Sequence, residues 1–212
     1  KNKLINSSLQ LAEEQVFIKP NFTEDKGWTG SEDRQKFFLF VGRLSHEKGI
    51  QTLLEASKQA DVRLEIIGDG EMKPLVEEFA QRYPNIVYHG FQGQDFIAEK
   101  MKQCKALLFP SVWYEGMPLT LLEAFSTGTP VIISDIDNLN EMVKHQYNGL
   151  HFRTGDSKDL AEKIQYFQQN ATAHYYENAR KTYETLYSPE KNYQELIEIY
   201  QKAINLKRKQ AI

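Results

Sequence analysis

The chain has 212 residues, with 26 lysines and arginines against 29 aspartates and glutamates and a formal net charge of −3. That length suits one large domain, or one domain with appended helices, and it can bury a proper core. The even charge balance gives no support to general nucleic-acid binding, and no apolar run approaches the roughly 20 residues that cross a bilayer.

The first 36 residues read as irregular. The chain opens on Lys1 rather than Met, which suggests a fragment or a processed chain, and no signal-peptide pattern is visible. Phe17-Ile18-Lys19-Pro20-Asn21-Phe22 reads as a strand ending in a turn. Residues 26–35, with two glycines and many charges, read as an exposed linker.

From residue 37 onward apolar runs alternate with helical patterns. Phe37–Val41 is a strand that ends at Gly42, and a helix follows over about 49–59. The strand Arg63–Ile67 ends at Gly68-Asp69-Gly70, before a helix over about 71–82. A short strand over 86–89 ends at Gly90, and a third helix spans about 95–103. Next comes the strand Ala106–Phe109, running into Pro110-Ser111. Pro118 suits the first position of the next helix, where its missing N–H costs nothing, and Thr127-Gly128 ends that helix. Pro130 opens the strand Val131–Ser134.

Past residue 157 the character changes. Asp156-Ser157 caps a helix to about residue 168, and two polar helices follow near 173–186 and 189–207. Tyr166, Tyr175, Tyr176, Tyr183, Tyr187, Tyr193 and Tyr200 read most simply as amphipathic packing against the sheet. Lys207-Arg208-Lys209, the one cationic cluster, reads as a solvated helix end. Cys104 is the sole cysteine, so no intrachain disulfide forms; this fits a reducing cytoplasm, and the residue reads as packing.

Short β-branched and aromatic strands, each followed by a helix, argue for an α/β fold with a parallel sheet covered on both faces. Ligands of such sheets bind at the carboxyl ends of the strands. Gly42, Gly68-Asp69-Gly70, Gly90 and the segment around Glu115 all fall on that rim.

Glu115 and Glu123 stand eight positions apart across the start of an apolar helix. Leu119, Leu121, Leu122, Ala124 and Phe125 cover most of its circumference, so it should be buried. A carboxylate at Glu123 is costly there unless something pairs with it. Glu115 precedes the free N–H groups of the helix start, a natural anion site. A phosphate on those groups with a carboxylate on each side suggests a ligand that joins phosphate to polyol: a nucleotide sugar.

Gly42 lets the chain turn sharply after the first core strand. Arg43 and Lys48 then have two readings: a clamp on a diphosphate, or solvated charges with Arg43 paired to a surface carboxylate. His46 reads as an exposed loop histidine and His89 as a structural one. Asp69 reads as a ligand contact or as turn chemistry. His145 and His151 lack metal-ligand spacing, so no zinc site is expected. The dinucleotide and Walker fingerprints are both missing, which argues against a nicotinamide enzyme or an ATPase.

A series of short motifs then lines up: Pro20-Asn21-Phe22, Phe40-Val41-Gly42-Arg43-Leu44 with Lys48-Gly49, Ile67-Gly68-Asp69-Gly70 and His89-Gly90. Pro110-Ser111, Glu115-Gly116-x-Pro118 with Glu123-Ala124, Gly128-x-Pro130-Val131, Glu141 and Asn148-Gly149 complete it. In this order and spacing, over about residues 16–170, the chain resembles the C-terminal, donor-binding domain of a retaining glycosyltransferase of family four, the glycosyl transferases group 1.

The resemblance implies one Rossmann-like half of a GT-B architecture. Residues 1–36 would be an interdomain junction, 37–170 the nucleotide-sugar domain, and 171–212 helices that pack on it and on a missing N-terminal domain. Arg43 and Lys48 would neutralise the donor diphosphate, and Glu123 would accept from the ribose hydroxyls. Glu115 would lie beside the donor sugar. Gly42, Gly116, Pro118 and the backbone N–H groups of Met117, Leu119 and Thr120 would contact sugar and phosphate, and Gly90-Phe91 the base.

The implied reaction moves a sugar from a UDP- or GDP-linked donor to an acceptor hydroxyl with retained configuration, by front-side attack assisted by the leaving phosphate. No cofactor and no metal are expected. The acceptor glycan or lipid would bind through the missing domain, in a cytoplasmic enzyme whose full-length form can touch a membrane peripherally. Alone, this chain should bind nucleotide but transfer sugar very poorly, because acceptor and donor are not held together. One departure stands out: Asp137, Asn138 and Asn140 occupy places where the family often has two glycines and a proline. Two alternatives stay open, a non-catalytic nucleotide-binding scaffold and a phosphorylase-like enzyme using inorganic phosphate.

Overall fold

The computed structural model describes residues 12–210. The strands are β1 (Phe37–Val41), β2 (Arg63–Ile67), β3 (Ile86–Tyr88), β4 (Ala106–Phe109), β5 (Val131–Ser134) and β6 (Gly149–Phe152). They form one parallel sheet in the order β3-β2-β1-β4-β5-β6. The helices are α1 (Ile50–Ala60), α2 (Lys73–Arg82), α3 (Gln94–Gln103), α4 (Leu119–Ser126), α5 (Asp137–Met142), α6 (Ser157–Asn170), α7 (Ala173–Thr182) and α8 (Pro189–Gln210).

Side chains alternate across a strand, so each strand feeds two cores. Phe38 and Phe40 of β1, Leu64 and Ile66 of β2 and Leu108 of β4 face α1 and α6, meeting Leu53, Leu54, Ile164 and Phe167. Phe37, Leu39, Leu107 and Phe109 face the other way, onto Met101 of α3 and Leu121, Leu122 and Phe125 of α4. The sheet is therefore buried on both sides, as continuous apolar strands require.

Strand order reverses beside β1, which pairs with β2 on one side and β4 on the other. Loops leaving β1 and β4 part in opposite directions there, opening a crevice at the carboxyl ends of the strands. The loop at 42–48 and the segment at 110–118 form its walls.

Several expectations change. Phe17–Phe22 forms no strand: Pro20 has no N–H to give a ladder, and the segment is held by single bonds, Asn192 Nδ2 to Pro20 O at 2.8 Å and Thr23 N to Tyr187 O at 3.2 Å. Residues 26–35 hold no fully buried residue, as an exposed linker requires, but they are tied to the domain. The Arg34 guanidinium donates to the carbonyls of Met101, Cys104, Thr29 and Thr127 and to Thr129 Oγ1, at 2.6–3.1 Å. It also stacks 4.9 Å from the Tyr176 ring. Pro118 is the cap before α4 rather than its first residue, and Leu119 is exposed on the rim while Leu121, Leu122, Ala124 and Phe125 are fully buried.

Helix α7 ends at Thr182, and a π-helical turn (Tyr183–Tyr187) follows it. Tyr175, Tyr176, Tyr183 and Tyr187 are buried as packing residues, whereas Tyr166, Tyr193 and Tyr200 face solvent. Cys104 is fully buried, and burial pushes its thiol up to about 12. Lys209 lies outside the residues whose side chains are described, as do residues 1–11 of the expected junction.

The outer edge of β6 is met by the loop before it. Gln146 N donates to Gly149 O at 2.8 Å, and His151 N donates to Nδ1 of His145 at 3.0 Å.

Candidate functional site

Backbone-to-backbone contact sets the geometry of the rim. Leu44 N bonds Asp69 O at 2.8 Å, Gly68 N bonds Gly90 O at 2.9 Å and Val112 N bonds Glu47 O at 2.9 Å, so the loops after β1, β2, β3 and β4 are stitched together. Gly49 ends the 3-10 turn His46–Lys48 at φ 69°, and a Cβ there would collide with the Pro110 carbonyl. Both facts demand glycine. Gly49→Ala is expected to cost about 2–3 kcal/mol, seen as a lower urea midpoint at unchanged slope; an unchanged midpoint would mean that the loop shifts freely.

Because Gly49 lets the turn lie against Pro110, Lys48 reaches across the crevice. Its Nζ lies 2.5 Å from Glu115 Oε1, and Ser111 Oγ donates to the same oxygen at 2.5 Å. Lys48 and Glu115 are mostly buried, at 21% and 16% side-chain exposure, so this pair is shielded from bulk solvent. No described residue bonds Oε2 of Glu115. The carboxylate is thus fixed by one oxygen and open at the other.

Glu123 lies two turns into the same region, on α4. It is half-buried, and among the described residues its carboxylate has no hydrogen-bond or ion-pair partner. Burial raises its pKa, with a smaller opposing pull from Lys26. The partner that the sequence demanded is not supplied by any described residue. At the start of α4, the N–H groups of Leu119 and Thr120 have no intrahelical acceptor, as in any first turn.

Arg43 stands apart from the Lys48–Glu115 pair: its Nη2 meets Glu47 Oε1 at 2.8 Å, and its side chain is 68% exposed. It also lines a cavity of about 350 Å³ with Val41, Gly42, Ile67, Asp69, Phe91 and Gln92. This hollow is largely apolar at its base, and Phe91 is exposed at its mouth. Gly90 and Phe91 are placed from below. Glu65 of β2, fully buried, receives His89 Nε2 at 2.8 Å, Lys100 Nζ at 2.7 Å and Arg63 Nη2 at 2.7 Å. His89 is therefore tied to a structural network, as expected, and His46 is exposed with only its backbone N near Glu71.

The structure thus brings Lys48, Glu115, Met117 and the α4 start to one side of the crevice, and Gly42, Arg43 and Phe91 to the other. Three contributors were not assigned a role from sequence. Ser111 has a local signal, a serine four residues before Glu115. Asn138 and Asn21, which bond the loop after Glu115, have none, being 22 and 96 residues away from their partners. Among the described residues no group of three or more histidine, cysteine, aspartate or glutamate side chains could hold a metal ion, and no helix is long and apolar enough to cross a membrane.

Residues 21–182 match the family described as glycosyl transferases group 1. The chain is 34% identical over 128 residues to the uncharacterized glycosyltransferase MJ1607 of Methanocaldococcus jannaschii, covering 57% of this chain and 33% of that protein. It is 33% identical over 138 residues to the lipopolysaccharide 1,6-galactosyltransferase of Salmonella typhimurium, covering 60% and 38%. Anabaena Alr3699/HepE, solved with UDP and glucose, shares the fold at a TM-score of 0.77 and 22% identity, covering 90% of this chain and 58% of that one. The matched stretch therefore spans between a third and two fifths of the two relatives' length.

Proposed function

Since the chain belongs to the glycosyl transferases group 1 family, we propose that it is the donor-binding half of a retaining, metal-independent glycosyltransferase using a UDP- or GDP-linked sugar. The observation that carries this reading is Glu123: a half-buried carboxylate without a partner among the described residues, on the helix whose start presents Glu115 and free N–H groups. Such a group is satisfied by a pair of hydroxyls, which a ribose supplies. The structures of HepE with UDP and glucose, and of TarM with UDP and a GlcNAc-containing ligand, support a donor of this class.

In this reading the base sits in the hollow beside Phe91, and the diphosphate lies over Gly42 toward the α4 start. Lys48 and Arg43 neutralise the charge that builds on the β-phosphate as its bond to the sugar breaks. Glu115, fixed at Oε1 by Lys48 and Ser111, offers Oε2 to the sugar. The acceptor hydroxyl attacks from the face the diphosphate leaves and gives its proton to the departing phosphate oxygen, keeping the anomeric configuration. A glycan or lipid acceptor would be held by a second domain in a cytoplasmic, peripherally membrane-associated enzyme. Without that domain, transfer is very slow.

Calorimetric titration with UDP, GDP and inorganic phosphate tests this. One nucleotide is expected to bind, with Lys48→Met and Glu123→Gln each weakening it about 10- to 100-fold. Acidification adds a second signature. Ribose hydroxyls favour the ionised Glu123, whose pKa burial has raised, so affinity is full above that pKa and falls as pH drops through it. Glu123→Gln should flatten the profile. Silence toward nucleotides would leave the scaffold reading, and preference for phosphate the phosphorylase one.

A further inference from the structure

The loop between Glu115 and Pro118 is held from behind by two amides. Asn138 of α5 donates through Nδ2 to the carbonyl of Glu115 and, at 2.9 Å, to that of Gly116. Asn21 donates through Nδ2 to the carbonyl of Met117 at 3.3 Å, and its backbone N lies 3.0 Å from Met117 Sδ. Asn138 thereby draws two successive carbonyls toward itself, and Asn21 holds the third. In a trans peptide the C=O and the N–H point in opposite directions. The peptides whose carbonyls belong to Glu115 and Gly116 carry the N–H groups of Gly116 and Met117, so these face away from Asn138. No described group accepts from either. The third peptide ends in Pro118 and has no N–H to present.

We infer that Asn138 is a positioning residue, which turns the N–H groups of Gly116 and Met117 toward the distal phosphate and sugar of the donor, while Asn21 braces the adjoining Met117–Pro118 peptide. Together with the N–H groups of Leu119 and Thr120 they form a row of fixed donors beside Glu115. This rests on the donor-site reading. It also gives position 138 a purpose: a glycine there has no amide to give, so the tie belongs to this chain's own departure from the family pattern.

The test compares nucleoside diphosphate with monophosphate, because the row serves only the distal phosphate and beyond. UDP with UMP, and GDP with GMP, are titrated into the wild-type chain, Asn138→Ala, Asn138→Asp and Asn21→Ala. For the base that binds, Asn138→Ala and Asn138→Asp are expected to weaken the diphosphate about tenfold and the monophosphate less than about twofold. Asn21→Ala, which acts on a peptide without an N–H, should weaken the diphosphate about threefold or less. A wild-type measurement is independent of any variant's folding: the Gly116 and Met117 amide resonances should shift with the diphosphate and stay with the monophosphate. Variants that keep the wild-type diphosphate-to-monophosphate ratio, or amide resonances blind to the second phosphate, overturn this inference and leave the donor site standing. A wild-type chain that binds no nucleotide overturns both.

Discussion

Replacing Arg34 by alanine is expected to destabilise the folded chain by about 3–5 kcal/mol. The guanidinium lies where two helices end. It donates to Met101 and Cys104 at the end of α3, to Thr127 at the end of α4, to Thr29, and to Thr129 Oγ1. No described carboxylate pairs with it. The negative ends of two helix dipoles take that place, and the Tyr176 face adds a cation–π contact. Burial lowers the pKa of the guanidinium, so desolvation opposes the arrangement. Five charge-assisted bonds outweigh it, and their loss leaves the Cys104 and Thr127 carbonyls without a donor at fully buried residues. Arg34→Lys should recover less than half, because one ammonium cannot fork between two helix ends. Urea unfolding decides the matter: a loss below about 1 kcal/mol would mean that desolvation cancels the bonds.

Glu65→Leu is expected to cost about 3 kcal/mol near neutral pH. The carboxylate is fully buried on the second face of β2 and joins Arg63, His89 and Lys100. Removing it strands three donors, though the cations are 19–53% exposed and can turn partly to water, which keeps the cost at the lower end for a broken buried pair. Burial pushes the Glu65 pKa up, but the hydrogen bonds from Lys100 and His89 outweigh this and hold it below its ordinary value. A depressed carboxyl contributes stability above its unfolded pKa, near 4.5, and loses it as pH falls through the folded value. The gap between wild type and Glu65→Leu should therefore close as pH is lowered below about 4.5. Melting curves from pH 3 to pH 7 measure this; a constant gap would show that apolar repacking, not charge, sets the cost. The loop at 89–92 should loosen too, since His89 and Lys100 anchor it from below.

What could be read from the residues followed their chemistry. Phe37–Val41, Arg63–Ile67, Ala106–Phe109 and Val131–Ser134 are short, predominantly apolar runs between clear turn signals, and each strand has those limits. Glu115 and Glu123 stood out because a charge beside an apolar helix needs a reason, and Lys48 because it shares with Arg43 a loop at the ligand-binding rim. Helix α5 and strand β6 were missed. Asp137, Asn138 and Asn140 are weak helix formers, and β6 begins with Gly149 and carries His151; both are set by tertiary packing and by pairing with β5. Arg34 was misjudged for a related reason. Its neighbours Glu32, Asp33 and Gln35 are exposed, and nothing local reveals that one arginine in a polar run meets carbonyls 67 to 93 residues away.

The loop that folds back along β6 has a meaning beyond the site. A parallel sheet ends in two rows of unpaired backbone groups, each a template on which another chain can add a strand and begin to aggregate. Here His145 occupies the outward N–H of His151, and Gln146 occupies the outward carbonyl of Gly149. At the opposite margin β3 has only three residues, too short to hold a foreign strand in register. The loop thus covers one margin of the sheet and brevity blunts the other, and this protects a fold that is apolar on both faces from growing by self-addition.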